Sequence, residues 1–240
     1  TMQINEQTLT LRPANARGHA DFGWLQSAHS FSFGQYHDPK HMGFGNLRVI
    51  NDDRVAGGQG FGKHPHQNAE IFSYVTKGAL EHADSMGNGS VVAAGGVQYM
   101  SAGSGVTHSE YNPSKTEEMQ FLQIWLMPSV ANTPPAYDTI DLTDADKDGQ
   151  LKLFLSPDGR QGSMRTQADA FVYAATLNGD QRIETTLKAD RKAWVQMVRG
   201  DVQVNGQKLT KGDGLAIEGA GQLTFEAGKN AEFMFFDLTA

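Results

Sequence analysis

The residues most able to do chemistry are His64, His66, His108 and Glu110. They occur in two short runs, Gly60-Phe61-Gly62-Lys63-His64-Pro65-His66 and Gly105-Val106-Thr107-His108-Ser109-Glu110. In each run the two candidates are spaced i, i+2, and in a strand such residues point to the same face. His64 and His66 therefore face one side together while Pro65 faces the other, and the proline suits an edge or strand-start position. His108 and Glu110 repeat the geometry. If the two strands are neighbours, three imidazoles and a carboxylate converge. Such a donor set suits a divalent first-row metal, with nitrogen ligands ~2.0–2.1 Å away for a zinc-sized ion. Four protein ligands leave a coordination position open, as catalysis requires.

The other histidines, His19, His29, His37, His41 and His82, lack such partners and are expected to be structural. No histidine follows residue 108, so histidine chemistry belongs to the first half. The chain has no cysteine, which excludes disulfides, thiolate metal sites and cysteine nucleophiles. A formal charge of −7 without a basic run disfavours direct nucleic-acid binding. No apolar stretch approaches the ~18 residues of a membrane span, and the first residues lack a signal layout. A soluble, cytoplasmic protein is expected.

The elements that must position these residues read as short strands. Leu47–Asn51, Glu70–Val75, Gly96–Ser101 and Met119–Met127 are β-rich and bounded by turn residues. Phe171–Leu177, Ala193–Arg199, Val202–Val204, Gln222–Glu226 and Glu232–Leu238 follow in the second half. No sustained 3.6-residue period occurs, so an all-β sandwich or barrel is predicted. Asn132-Thr133-Pro134-Pro135-Ala136 begins a linker, dividing the chain into residues 1–135 and 136–240. Asp141–Gln150 is expected to be loop. Within it, Asp144-Ala145-Asp146-Lys147-Asp148-Gly149 imitates the start of a calcium loop, but Leu155 stands where the bidentate glutamate belongs, so an ordinary acidic turn is expected. The sequon Asn88-Gly89-Ser90 reads as a hairpin turn.

A repeat links the halves. Val75-Thr76-Lys77-Gly78-Ala79-Leu80 matches Met197-Val198-Arg199-Gly200-Asp201-Val202, and Gly103-Ser104-Gly105 matches Gly219-Ala220-Gly221. A duplicated barrel follows. The offsets place Thr186, Lys188, Thr224 and Glu226 at the ligand positions of the second copy, which should hold no such metal.

The run from Gly58 through His64, His66 and Glu70 to Gly78 resembles the first cupin motif. Gly96 followed by Gly103-Ser104-Gly105 and His108 resembles the second. Ser30–Phe33, Phe44–Asp53, Gly60–His66, Gln98–Gly103 and His108–Asn112 together resemble the pirin family of bicupins over residues 10–128, with a more diffuse likeness beyond. Two departures are a spacing of seven rather than six residues between Glu70 and Gly78, and Ala102-Gly103 in place of a proline turn. The resemblance is closest to bacterial members described as quercetin 2,3-dioxygenases. It implies two tandem cupin-type barrels (double-stranded β-helix, or jelly roll), the first with the metal site and the second without.

It further implies one metal ion per chain on His64, His66, His108 and Glu110. Iron(II) is favoured by ligand type, with nickel, manganese, copper and zinc compatible. Glu70 occupies a common cupin ligand position, but in pirins the second-motif glutamate takes that role, and Glu70 is left out. The implied reaction is dioxygen-dependent opening of a flavonol with release of carbon monoxide, Glu110 serving as ligand and base. Phe61, Met100, Phe121 and Trp125 are candidates for an apolar slot, and Gln98 and Gln123 for hydrogen bonds to ligands or bound water. The rival expectation is a metal-dependent regulatory protein with a protein partner, since the same four ligands serve both.

Overall fold

The computed structural model describes residues 1–4 and 6–239. Its strands form three sheets. A seven-stranded sheet runs in the order Ala136–Asp141, Gly96–Ser101, Glu70–Lys77, Met119–Leu126, Leu47–Val55, Leu25–His29 and Gly18–Asp21. A four-stranded sheet, Gly60–His66, Val106–Tyr111, Ala79–Asp84 and Gly89–Ala93, completes the first barrel. A ten-stranded sheet built mainly from residues after 151 forms the second. The architecture is all-β, two barrels in tandem, as the alternation and the repeat predict. Among the described residues no helix is long and apolar enough to cross a membrane.

Burial along Glu70–Lys77 shows how the barrels meet. Its first six residues are all buried, as expected for a strand covered on both faces. Phe72 and Tyr74 join Tyr99, Leu122 and Ile124 in packing on Phe154, Trp194, Met234 and Phe236 of the second half. The alternate residues Ile71 and Val75 belong to two smaller clusters inside the first barrel. The first barrel's interior is thus apolar at two places. The second barrel's interior is one continuous apolar cluster that includes Ile183, Leu187, Leu223, Phe225 and Phe233.

The halves exchange strands. Gln7–Arg12 pairs with Gly214–Glu218 of the second barrel, while Ala136–Asp141 pairs with Gly96–Ser101 of the first.

Three sequence expectations change. Ala193–Arg199 and Val202–Val204 are one bent strand, Arg191–Val204, and the two C-terminal segments are one strand, Gly221–Thr239. Positive φ at Gly200 (+68°), Ala227 (+55°) and Asn230 (+48°) bends these strands without ending them. Asp141–Gln150 is not wholly loop. Thr143 caps a single helical turn, Asp144–Lys147, accepting from Asp146 N while the Asp146 carboxylate accepts from Thr143 N, a capping box. Asp148 is engaged by Gln181, so the acidic run serves local structure. Finally, the second copy's equivalents of the ligands do not lie among the residues that fill the second barrel. Thr186 is exposed and Thr224 and Glu226 are half-buried, whereas Ile183, Leu223 and Phe225 point inward. A shift of one residue moves a strand position to the opposite face.

The repeat itself has a structural counterpart. Gly78 and Gly200 adopt matching φ values, +69° and +68°, a left-handed conformation that favours glycine.

Candidate metal centre and adjoining cavity

Gly60–His66 is an edge strand whose one partner is Val106–Tyr111, with His64 opposite His108 and Pro65 opposite Thr107. Pro65 is exposed and removes no hydrogen bond from a central strand. The register slips between His108 and Glu110, which lies opposite Phe61. This bulge leaves the Gly62 carbonyl free to accept from His64 Nδ1 at 2.6 Å. The bond fixes the tautomer and aims Nε2 inward.

The nitrogens of His64, His66 and His108 that face one another all lie within 4.8 Å. Among the described residues they are the one group of three such side chains. His64 Nε2 and His108 Nε2 are 2.8 Å apart. Two ligands ~2.1 Å from a common ion and at right angles to it would be ~3.0 Å apart, so the spacing fits a shared metal. His108 Nδ1 is buried without a partner. Burial, followed by the neighbouring histidines, lowers the His108 pKa to about 3, and burial followed by His64 lowers that of His66 to about 4. Both rings are therefore neutral at neutral pH and their nitrogens are available as donors.

Glu110 is set back, with Oε1 at 3.6 Å from His108 Nε2, and both residues are 2% exposed. Gln98 Nε2 donates to Oε2 at 3.0 Å and Gln123 Nε2 donates to Oε1 at 3.2 Å. Each amide is itself oriented. Tyr137 OH donates to Gln98 Oε1 and Trp125 Nε1 donates to Gln123 Oε1. Burial, then the nearby Asp53, pushes the Glu110 carboxyl up to about 7 against the two amide bonds. A cation beside it would supply the missing counter-charge. The residues present thus fit a divalent ion.

A cavity of about 540 Å³ adjoins this group and is lined at that end by His64, His66, Glu110 and Gln123. Trp24, Phe33, Tyr36, Phe61 and Trp125 form its aromatic walls. The Trp125 ring meets His66 edge-on at 5.2 Å.

Of the pocket residues expected from sequence, Phe61, Gln123 and Trp125 line this cavity, while Gln98, Met100 and Phe121 do not. Met100 shares a face with Gln98 but packs among Ala69, Ile71, Ala102 and Val106. Phe121 shares a face with Gln123 but lies farther along the strand, fully buried with Val55, Leu80 and Met119. Alternation gives the face of a strand and not the depth along it. Glu70 points away from the site. It accepts from Tyr99 OH, Ser101 Oγ, Thr166 Oγ1 and Gln167 N at 2.5–2.9 Å, tying the first barrel to the second.

Two features escaped the sequence reading. His82, whose sequence context marks it as structural, is buried beside the centre, its ring 5.5 Å from that of His108 and stacked on Tyr137 at 4.3 Å. Its Nε2 meets Asp84 Oδ2 at 2.7 Å. The signal was another i, i+2 pair, His82 and Asp84. The second feature is a polar wall of Ser27, His29, Asn51 and Asp53 on the cavity. It depends on the pairing of Leu25–His29 with Leu47–Val55, for which the sequence carries no local mark.

A family model described as pirin matches residues 10–126, and one described as quercetinase C-terminal cupin domain matches residues 153–238. The chain is 48% identical over 228 residues to the quercetin 2,3-dioxygenase of Escherichia coli (strain K12), covering 95% of this chain and 97% of that one. The chain belongs to the pirin family. Among solved structures, the bacterial pirin YhhW from Escherichia coli in complex with nickel(II) matches with a TM-score of 0.92 at 45% identity, covering 97% of this chain and 99% of that one. A pirin-like protein of Caulobacter vibrioides is 38% identical over 229 residues, 94% of this chain and 97% of its own.

Proposed function

We propose that this pirin is a metal-dependent dioxygenase that opens a flavonol such as quercetin, with dioxygen as co-substrate and carbon monoxide as a product. The observation that carries the reading is the three-histidine group, two of whose members, His64 and His66, line an aromatic-walled cavity together with Glu110. The name of the E. coli relative supports the substrate class.

His64, His66, His108 and Glu110 would hold one divalent ion per chain. Their nitrogen and oxygen donors suit iron(II), with manganese, nickel, copper and zinc compatible. The nickel(II) complex of the E. coli relative supports an ion from that series. When bound, the ion supplies positive charge that acidifies a substrate hydroxyl. Glu110, whose carboxyl titrates near neutrality, takes the hydroxyl proton. Gln98 and Gln123 keep its oxygens aimed. Phe33, Phe61 and Trp125 flank the substrate rings and exclude water. The chain divides near Pro135, and the second barrel, with an apolar interior in place of donors, serves as scaffold.

Elemental analysis of natively purified protein should find about one metal per chain. Aerobic incubation with quercetin should bleach its visible absorbance and release carbon monoxide. Inactivity with iron, nickel, manganese and copper in turn would overturn the enzymatic reading in favour of a metal-binding regulatory protein.

A further inference from the structure

The cavity wall built by Leu25–His29 and Leu47–Val55 carries four polar side chains to which the reaction above gives no role. Ser27 lies opposite Asp53 and His29 opposite Asn51 across two paired strands. All four are buried, and all four line the cavity. Polar groups buried among aromatic rings are costly unless they find partners, and here the partnering is incomplete in a specific way. The Ser27 hydroxyl donates to Asp53 Oδ1, so it is not presented as a nucleophile. His29 Nδ1 donates to Asn51 Oδ1 at 2.7 Å, which leaves Nε2 as a bare acceptor. Among the described residues, His29 Nε2, Asp53 Oδ2 and Asn51 Nδ2 have no hydrogen-bond partner. An imidazole acceptor, a carboxyl oxygen and an amide therefore face whatever fills the cavity, a set that pairs with phenolic hydroxyls, which both donate and accept.

The register gives the distance from the metal end. Asn51 lies opposite Gln123, whose amide holds Glu110. His29 is one strand farther, so it stands ~10 Å, two strand spacings, from the strand of Gln123. Aromatic faces span the interval. Phe33 meets Trp125 edge-on at 5.7 Å and lies tilted against His29 at 5.5 Å, and Tyr36 stacks on His29 at 6.2 Å. Asn51 and Asp53 lie on the nearer of the two strands, Asp53 beside Glu110, and Ser27 and His29 on the farther one, so a flat molecule anchored at the histidine group runs along this wall to its far end.

We propose that Ser27, His29, Asn51 and Asp53 form a second polar subsite that binds phenolic hydroxyls on the substrate ring farthest from the histidine group. The inference rests on the flavonol reading and adds which flavonols are preferred.

The test separates binding from turnover. Protein reconstituted with nickel(II) is titrated in the absence of oxygen with three flavonols carrying two, one or no hydroxyls on the pendant ring, followed by tryptophan fluorescence. Each hydroxyl removed should weaken binding about 5–10-fold. In Asp53→Asn and, separately, His29→Leu, the spread should narrow to about 2-fold or less while nickel content stays at the wild-type level. Two variants are used so that a failure of one to fold leaves the other readable. Equal binding of all three flavonols by the wild type would overturn the subsite and leave the flavonol reading standing. Discrimination kept in both variants would overturn the assignment to these residues. No binding of any flavonol would overturn both readings.

Discussion

His64 owes its direction to one backbone carbonyl, that of Gly62, exposed by the bulge before it. Glu110 owes its direction to two amides, each held by an aromatic donor. These supports set expectations for single substitutions. His108→Ala should abolish metal retention and turnover together, and unchanged metal content on elemental analysis would show that the ligand set is misread. Tyr137→Phe frees the Gln98 amide to flip and should weaken metal affinity by roughly 10-fold or more, the usual scale for an outer partner of a ligand, as read by competition with a chelator. The carboxyl makes a pH prediction. Its folded-state pKa, about 7, lies above its ordinary value near 4.5. It therefore favours the fold below about pH 4.5, and that contribution is lost as pH rises through 7. Glu110→Gln removes the loss. In metal-free protein the variant should melt higher than wild type at pH 8, by a few degrees on the ~2–4 °C per kcal/mol scale of domains this size, and the gap should close at pH 4.5. His66 and His108 act in the opposite sense. Their lowered pKa values leave stability intact above about 6.5 and erode it as pH falls toward 4 and 3.

Glu70–Lys77 and Gly96–Ser101 each present two chemistries, one per face. Gln98 faces the candidate centre while its neighbours Tyr99 and Ser101 face the second barrel. Glu70 lies on the latter face, where four donors satisfy its carboxylate. Glu70→Gln should therefore leave metal content unchanged while costing about 2–3 kcal/mol, because an amide nitrogen would meet groups that donate. A drop in melting temperature without loss of metal is the expected result, and loss of metal would reinstate Glu70 as a ligand. This strand shows what a single sequence reveals. His64-x-His66 and His108-x-Glu110 were legible because face-sharing at i, i+2 is local. The strand face of Phe121 and Met100 was legible too, but their depth was not, since depth depends on which partner plugs each end of the barrel. The wall of Ser27, His29, Asn51 and Asp53 was illegible because it needs a register between strands more than twenty residues apart. In sequence the bends at Gly200 and Asn230 look like breaks, because glycine and asparagine mark turns and bulges alike.

At the scale of the molecule, one core serves both halves. Phe72 packs on Phe154 at 5.5 Å and on Phe236 at 6.3 Å, and both partners are fully buried. Phe236→Ala should cost about 3–5 kcal/mol, and the chain should still melt in one transition by calorimetry, since the lost contact belongs to both barrels. A fragment ending at Pro135 loses the strand Ala136–Asp141 and uncovers Phe72, Tyr74 and Tyr99. It should aggregate on size-exclusion chromatography, whereas a monomeric, metal-binding fragment would show that the first barrel is self-sufficient. The exchanged strands carry the point into heredity. A genetic cut at the middle of the chain would leave Gln7–Arg12 on one product and its partner Gly214–Glu218 on the other, and would part Ala136–Asp141 from Gly96–Ser101. The halves share an architecture, yet they are not cassettes that recombination could trade. New chain ends would be tolerated instead at an exposed hairpin tip such as Met86-Gly87, which leaves both clasps closed.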